Sequence, residues 1–341
     1  MSRRGAASQA PGGGMSEAAA DTAPVAVERA ARRRLEVRDF GIVLAFLALI
    51  IGLSLATDTF FTDRNILNIL DQSAPVGIIA CAVTICIIAG IFDLSTGAIF
   101  GVSAVVATKV ANAVDPTVGL LAGVFAGLGL GIVNAIVIHS TRINSFIGTL
   151  ATSIVYRGIA ILVTSGAIVT VTDPAFSELG TEKVLFDAKW SVYVFLTFFV
   201  ITAFLLARTA FGRYVYAVGG NEEAARLSGI RVGAVRGACY ALSGLAAGIA
   251  GVLAASRTSS AQADLGVGLE LSAIAAAVVG GTSILGGEGA VWRGVLGVLT
   301  LAIIGNGFDL LDIDTTYQQL VQGVLILLAV AADQLVRRDR G

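Results

Sequence analysis

The chain has 341 residues with 23 Lys and Arg against 24 Asp and Glu, for a formal charge of -1; 56% of its residues are apolar and only 14% are charged. A soluble chain of average make-up carries charge on about a quarter of its residues, so this composition, with a mean hydropathy of +0.85, reads as an integral membrane protein. The near-neutral balance provides no global field for nucleic acid. The three cysteines, Cys81, Cys86 and Cys239, lie in apolar runs and read as small packing residues, and the single His139 supports neither a metal site nor a His-based catalytic one.

Residues 1–39 are small, polar and Gly/Pro-bearing, and read as a disordered arm. They end in a basic cluster, Arg29, Arg32, Arg33, Arg34 and Arg38, which holds an N-terminus in the cytoplasm when a first span follows. From Phe40 apolar stretches recur at about the length needed to cross a bilayer, roughly 20 residues. The expected spans are 40–56, 74–92, 97–113, 118–138, 145–164, 190–207, 233–254, 266–283, 291–308 and 318–335, within a polytopic region 40–336 followed by a cytoplasmic tail 337–341.

Loop charges test that count. Loops 57–73, 165–189 and 309–317 are rich in Asp and Glu and fall outside, whereas Arg142 with His139, the cluster Arg208, Arg213, Arg226, Arg231 and Arg236, and the tail arginines fall inside. Both termini are then cytoplasmic, which requires an even number of spans.

Glycine and polar residues inside the spans carry the next signals. Gly119, Gly123, Gly127 and Gly131 recur every four residues on one helix face, a spacing that lets helices approach closely in lipid. Two segments, Ala89–Gly97 (AGIFDLSTG) and Gly280–Gly289 (GGTSILGGEG), interrupt apolar runs with glycine, Ser and Thr in similar ways, and suggest a weak internal repeat of 74–113 in 265–304. Glycine-broken helices in corresponding halves point to a transport pathway, because irregular backbone at membrane depth must line a cavity or be buried in protein. Asp93 is the sharpest residue there: with Ser95 it either caps the following helix or contacts a solute directly. Thr282 and Ser283 are the hydroxyls of the second break. Asn134 and Asn306 either meet sugar hydroxyls or lock helices together. Arg157 and Glu270 are expected near span ends, where they reach water.

The most informative segment is Ala217–Ile230 (AVGGNEEAARLSGI), a polar stretch between two apolar runs. Asn221 suits the start of a short helix, Glu222 and Glu223 its positive end, Arg226 its negative end, and Gly229 its stop. A well-formed helix on the face of a membrane protein is either an ordinary capped surface helix or a handle for a partner.

Nothing in the chain can bind nucleotide through a P-loop, which needs glycine immediately before lysine. Lys109, Lys183 and Lys189 follow Thr108, Glu182 and Ala188. ATP-driven transport would therefore place ATP and Mg in another subunit. A proton- or sodium-coupled secondary transporter is the alternative; it would need a relay of intramembrane carboxylates, for which only Asp93 and Glu270 are candidates. An embedded enzyme would need a convergent nucleophile and base, and none is present.

Several motifs, in order from Phe40 to Val336, resemble the permease subunits of bacterial ABC importers of the ribose, xylose and galactose type. Gly90-Ile91-Phe92-Asp93-Leu94-Ser95-Thr96-Gly97 resembles that family's GG[IF]DLSVG. Ala217–Ile230 resembles its AxGgNexAArlsGI, Gly280–Gly289 its GGtSlxGGxG, and Asn306–Ile313 with Tyr317-Gln318 its NGLNLLGV…YQ. Ile91, Thr96 and Asp309 depart from the pattern, as does Ser145–Ala151, which lacks the proline and last glycine of PFIxTLG.

The resemblance implies an all-α integral membrane fold of about ten transmembrane helices, similar to the vitamin-B12-importer type of ABC permease, in the bacterial inner membrane. It implies two permease subunits forming the path, a periplasmic sugar-binding protein and two cytoplasmic ATPase subunits. The ATPases would dock on a coupling helix between the sixth and seventh spans, within segment 208–232. That assigns Gly219, Gly220, Asn221, Glu222, Glu223, Ala224, Ala225, Arg226, Leu227 and Gly229 to coupling, and leaves Asp93, Ser95, Asn134, Thr282, Ser283 and Asn306 as pathway candidates. No catalytic residue, metal or bound cofactor is expected in this chain.

Overall fold

The computed structural model describes residues 42–314 and, beyond them, residues 316, 317, 320, 321, 323, 324 and 327. The expected arm 1–39, most of the last span 318–335 and the tail lie outside the described residues. The chain divides into a short unit, Met1–Leu44, of which residues 42–44 open the first helix, and a large unit, Ala45–Gly341, to which everything below belongs.

The described chain is helical nearly throughout. Its elements are α1 (Ile42–Ala56), α2 (Asp63–Ile88), α3 (Thr96–Ala113), α4 (Pro116–Thr141), α5 (Ser145–Thr164), β1 (Val169–Thr170), α6 (Pro174–Thr181), α7 (Trp190–Arg208), α8 (Ala210–Gly220), α9 (Glu222–Leu227), α10 (Val232–Thr258), β2 (Ser260–Ala261), α11 (Leu269–Val279) and α12 (Val291–Leu310). Among the described residues seven of these, α2, α3, α4, α5, α7, α10 and α12, are long and apolar enough to cross a membrane. This is a multi-pass, predominantly α-helical membrane protein. The antiparallel pair β1–β2, two residues each, clips the loop after α5 to the end of α10.

Three expectations are corrected by the coordinates. The stretch 63–73, read as part of an outside loop, is the first three turns of α2, which Thr62 caps by accepting from the Asn65 N–H. The charges at Asp63, Arg64 and Asp71 are what give the stretch its loop-like sequence. The helix continues because Asp71 is neutralised: Lys189 Nζ lies 2.6 Å from its carboxylate, Arg257 3.5 Å, and the Ser191 hydroxyl donates to it. Span 266–283 contains only eleven helical residues, α11, about 16 Å of rise, flanked by the second glycine break. Arg157 lies within α5, not at its end, with Nη1 buried and without a hydrogen-bond partner.

Packing is organised around α2 and α10. α2 is buried along most of its length between α10, α12, α7 and α11, and its C-terminal run from Ile78 to Ile88 forms the centre of the main core cluster. α10 packs most extensively on α4. The glycine stripe of α4 is the reason: Gly127 and Gly131 sit directly on Gly248 and Gly244, so close that a Cβ on Gly131 would lie 2.9 Å from the Gly244 Cα. The stripe residues are the buried ones, together with Pro116 and Asn134, while the opposite face of α4 shows Leu121, Phe125, Ile132 and Ile136 outward. In a membrane that face meets lipid or another subunit, and close van der Waals packing of small residues holds the other. The three cysteines are buried and unbridged, Cys86 Sγ resting 3.5 Å from the Cys239 carbonyl, consistent with packing roles.

Candidate coupling and translocation site

The polar segment after α7 folds into two successive helices. Thr209 caps α8, accepting from the Gly212 N–H, and Val215 and Val218 bury α8 in the core. Asn221, in extended conformation, joins the helices. Its N–H donates to the Ala217 carbonyl at the end of α8, and its side chain accepts from Ala224 N–H (2.9 Å) at the start of α9. Ala225 is the buried contact of α9. The helix stops at Ser228 and Gly229, whose φ of +82° suits only glycine, and the Ile230 N–H returns to the Ala225 carbonyl.

The charges of α9 divide by direction. Glu222 bonds Arg226 Nη2 at 2.7 Å and Arg236 Nη1, on α10, at 2.9 Å, and so ties the short helix to the bundle. Glu223, 3.7 Å from Arg226 Nη1, and Leu227 are exposed, Leu227 at 81%. A six-residue helix does not persist alone in water, so α9 exists because its cap, its ion pairs and Ala225 fix it.

The stem of α9 meets both glycine breaks. The Gly287 N–H donates to the Ile88 carbonyl (2.9 Å), the Tyr216 hydroxyl on α8 donates to the Gly289 carbonyl (2.7 Å), and Gly219 lies between them. A Cβ on Gly219 would fall onto the Ile88 carbonyl and 2.8 Å from the Gly287 nitrogen; one on Gly286 would lie 3.1 Å from the Gly90 Cα. The two segments that resemble each other in sequence thus come together in space, at the end of α8, with backbone against backbone.

The first break is buried and cross-bonded. Asp93, Ser95 and Asn134 have no exposed surface. Asp93 accepts from the Ser95 N–H (3.0 Å) and hydroxyl, the Asn134 amide donates to Ser95 Oγ (2.6 Å), and the Tyr156 hydroxyl donates to Asn134 Oδ1 (2.8 Å). The free N–H groups of Phe92 and Leu94 donate to Ser145 Oγ (3.2 Å) and Thr149 Oγ1 (3.0 Å) of α5. Tyr156, Ser145 and Thr149 are members of this network that sequence reading missed. Thr282 and Ser283 are fully buried in the second break, away from this network.

Asn306 lies elsewhere, at the opposite end of α2. It exchanges two amide hydrogen bonds, both 2.9 Å, with Asn65 and so locks α12 to α2. Beside this pair is a groove of about 210 Å³ whose polar lining is Gln72 and Ser73 of α2, Ser272 of α11, and Asn306 and Asp309 of α12. Next to it opens a cavity of about 1230 Å³ whose lining includes Asn65, Asn68 and Asp71. Asn68 and Gln72, bonded to each other at 3.1 Å, are exposed on α2, whose later turns are buried. Their helical spacing was visible in the sequence, but the segment had been read as loop.

Residues 65–330 match the family described as the permease component of branched-chain amino acid transport systems. The chain is 39% identical over 301 residues to the L-arabinose ABC transporter permease protein AraH of Azospirillum brasilense, covering 88% of each chain. It is 40% identical to the ribose import permease protein RbsC of Bacillus subtilis (87% of this chain, 93% of the relative) and 36% identical to that of Escherichia coli K12 (85% and 92%). No solved structure gives a significant match. The chain belongs to this permease family of ABC transporters, and the relatives it resembles over most of its length are sugar permeases.

Proposed function

We propose that the chain is the pathway-forming subunit of an ATP-driven monosaccharide importer, and that α9 is the helix on which a cytoplasmic ABC ATPase docks. One observation carries this reading: a fixed short helix shows Leu227 and Glu223 to the outside while its stem, Gly219 and Gly220, sits on both breaks of the membrane domain. Movement imposed on α9 would reach Gly90 and Gly286 without a flexible side chain between them.

In the proposed arrangement ten spans cross the bacterial inner membrane in the manner of the vitamin-B12-importer type. Both termini are cytoplasmic, ATP and Mg reside in the partner ATPase, and this chain holds no cofactor. A second permease subunit completes the path, and a periplasmic binding protein delivers the sugar. ATP binding drives transport only insofar as the ATPase binds one permease state more tightly than the other. Asp93, Ser95 and Asn134 hold the first break in shape, Thr282 and Ser283 the second. Sugar passes along the amides of Asn68 and Gln72 toward Asn306. Polar groups on the outer face of a spanning helix are costly against lipid, which supports a water-filled path there, and a neutral sugar needs amides and hydroxyls more than fixed charge.

The test is to tag this subunit, extract it gently and identify what co-purifies. A Walker-type ATPase that is lost when Glu223 and Leu227 are changed supports the reading. A second reading, proton-coupled secondary transport, draws on Asp93 and Glu270, each of which keeps one buried carboxylate oxygen without a hydrogen bond. Uptake in vesicles that follows a pH gradient without ATP would select it.

A further inference from the structure

A cavity of about 820 Å³ lies behind α9, between the C-terminal end of α4, the start of α5 and the start of α10, with Gly90 and Ile91 among its lining residues. Arg142, Arg226, Arg231 and Arg236 line it against a single carboxylate, Glu222. That carboxylate is already bonded to Arg226 and Arg236. Arg142 and Arg231 make no ion pair among the described residues, and the Arg236 Nε is buried without a hydrogen bond. An excess of cations near span ends satisfies topology wherever it lies; convergence from α4, α9 and α10 on one concavity is not required by it.

Two further features face the same space. α10 follows Arg231 without a side-chain cap; the Val232 and Ala234 N–H groups bond to the Ile230 and Arg231 carbonyls, and the Gly233 N–H and the positive end of a 27-residue helix lie at the cavity, which Val232 and Gly233 line. Tyr240, 2% exposed, lines the cavity, and its buried hydroxyl has Ser145 beside it but makes no hydrogen bond of ordinary geometry. A buried donor left unmade costs free energy that a ligand oxygen would recover.

We propose that this cavity binds a phosphate group, held by Arg142 and Arg231 with the Tyr240 hydroxyl as a further donor. Guanidinium groups pair with phosphate oxygens in two-pronged fashion, and the volume admits a sugar phosphate or a phospholipid headgroup. The occupant joins α4, α9 and α10. Binding stands independently of the importer reading; its consequence, a brake on movement of α9, rests on it.

The full chain, purified into nanodiscs of neutral phosphatidylcholine, is dialysed against radiolabelled inorganic phosphate at low chloride. Saturable binding is expected, weakened at least tenfold in the Arg142→Gln/Arg231→Gln variant, several-fold in Tyr240→Phe, and not at all in Arg213→Gln, an exposed cation outside the cavity. Native mass spectrometry of protein from anionic nanodiscs forms the second arm. Phosphatidylglycerol retained by the wild type and lost from the double variant, without binding of free phosphate, assigns the group to a lipid headgroup. Absence of both signals, or equal loss in Arg213→Gln, overturns the proposal. If binding is found but uptake is insensitive to it, the site stands and the brake falls.

Discussion

The two glycine breaks meet at one junction but are held by different means. Residues 89–95 are bonded outward, to Ser145 and Thr149 of α5 and, through Ser95, to Asn134 of α4. Residues 280–289 are bonded mainly to themselves and to the end of α11: Thr282 N–H to Ala277, Ser283 N–H to Glu288, Gly286 N–H to Ser283, with Gly281, Gly286, Gly287 and Gly289 at positive φ. A segment tied by side chains to two neighbouring helices moves with them. The second loop relies on its own bonds and on two outside ones, Gly287 N–H to the Ile88 carbonyl and the Tyr216 hydroxyl to the Gly289 carbonyl, both at the junction with α8. The first break is thus anchored by more side chains of neighbouring helices than the second, with Gly219 between the two.

The largest expected effect comes from closing that junction. In Gly219→Val the new side chain meets the Ile88 carbonyl and the Gly287 backbone, neither of which can rotate away. The cost should reach or exceed the upper end of ordinary overpacking, about 3 kcal/mol, with loss of uptake. Thermal unfolding of the purified protein reads it, and an unchanged midpoint would mean that the breaks do not touch α8. Next comes Asn134→Leu, which removes the partner of Ser95 and one acceptor of Tyr156 at a fully buried site. A loss of about 1–3 kcal/mol is expected. Ser283→Ala removes the Leu285 N–H acceptor in the self-bonded loop, where Leu285 is itself exposed, and should cost about 0.5–1.5 kcal/mol. If Ser283→Ala proved as costly as Asn134→Leu, the two breaks would be equally fixed and the contrast would fail.

These differences also show what one sequence can carry. The helix α9 was legible because caps, end charges and stop glycine are local chemistry, and each sits where the sequence puts it: Asn221 on Ala224, Glu222 on Arg226, Gly229 in the left-handed region. The stripe Gly119–Gly131 was legible because a four-residue period needs no partner to be seen. The start of α2 was not, since a charged residue reads as solvated until its partners are known. Asp71 is buried by Lys189 and Arg257, 118 and 186 residues further along. With that stretch taken as loop, Asn68 and Gln72 could not be placed on a helix face. Nor could the pairing of Asn306 with Asn65, or of Asn134 with Ser95, be known before the fold brought them together.

The smallest effect on stability should carry the largest effect on coupling. Leu227 is the last residue of α9 and among the most exposed large apolar side chains of the described chain. Leu227→Ala removes apolar surface that nothing in this subunit covers, keeps good helix propensity, and leaves Asn221, Ala225 and the Glu222–Arg226–Arg236 cluster intact. Its unfolding free energy should stay within about 0.5 kcal/mol of the wild type. Uptake in vesicles reconstituted with the ATPase should nevertheless fall, with ATP hydrolysis no longer tied to it. Glu222→Gln weakens the tie to α10, so it should lower stability slightly as well as coupling. A fall in stability for Leu227→Ala equal to that for Glu222→Gln would mean that Leu227 packs within its own chain, and α9 would then be a structural corner of the bundle. Separation of the two variants along these axes distinguishes a surface held ready for a partner from one that merely ends a helix.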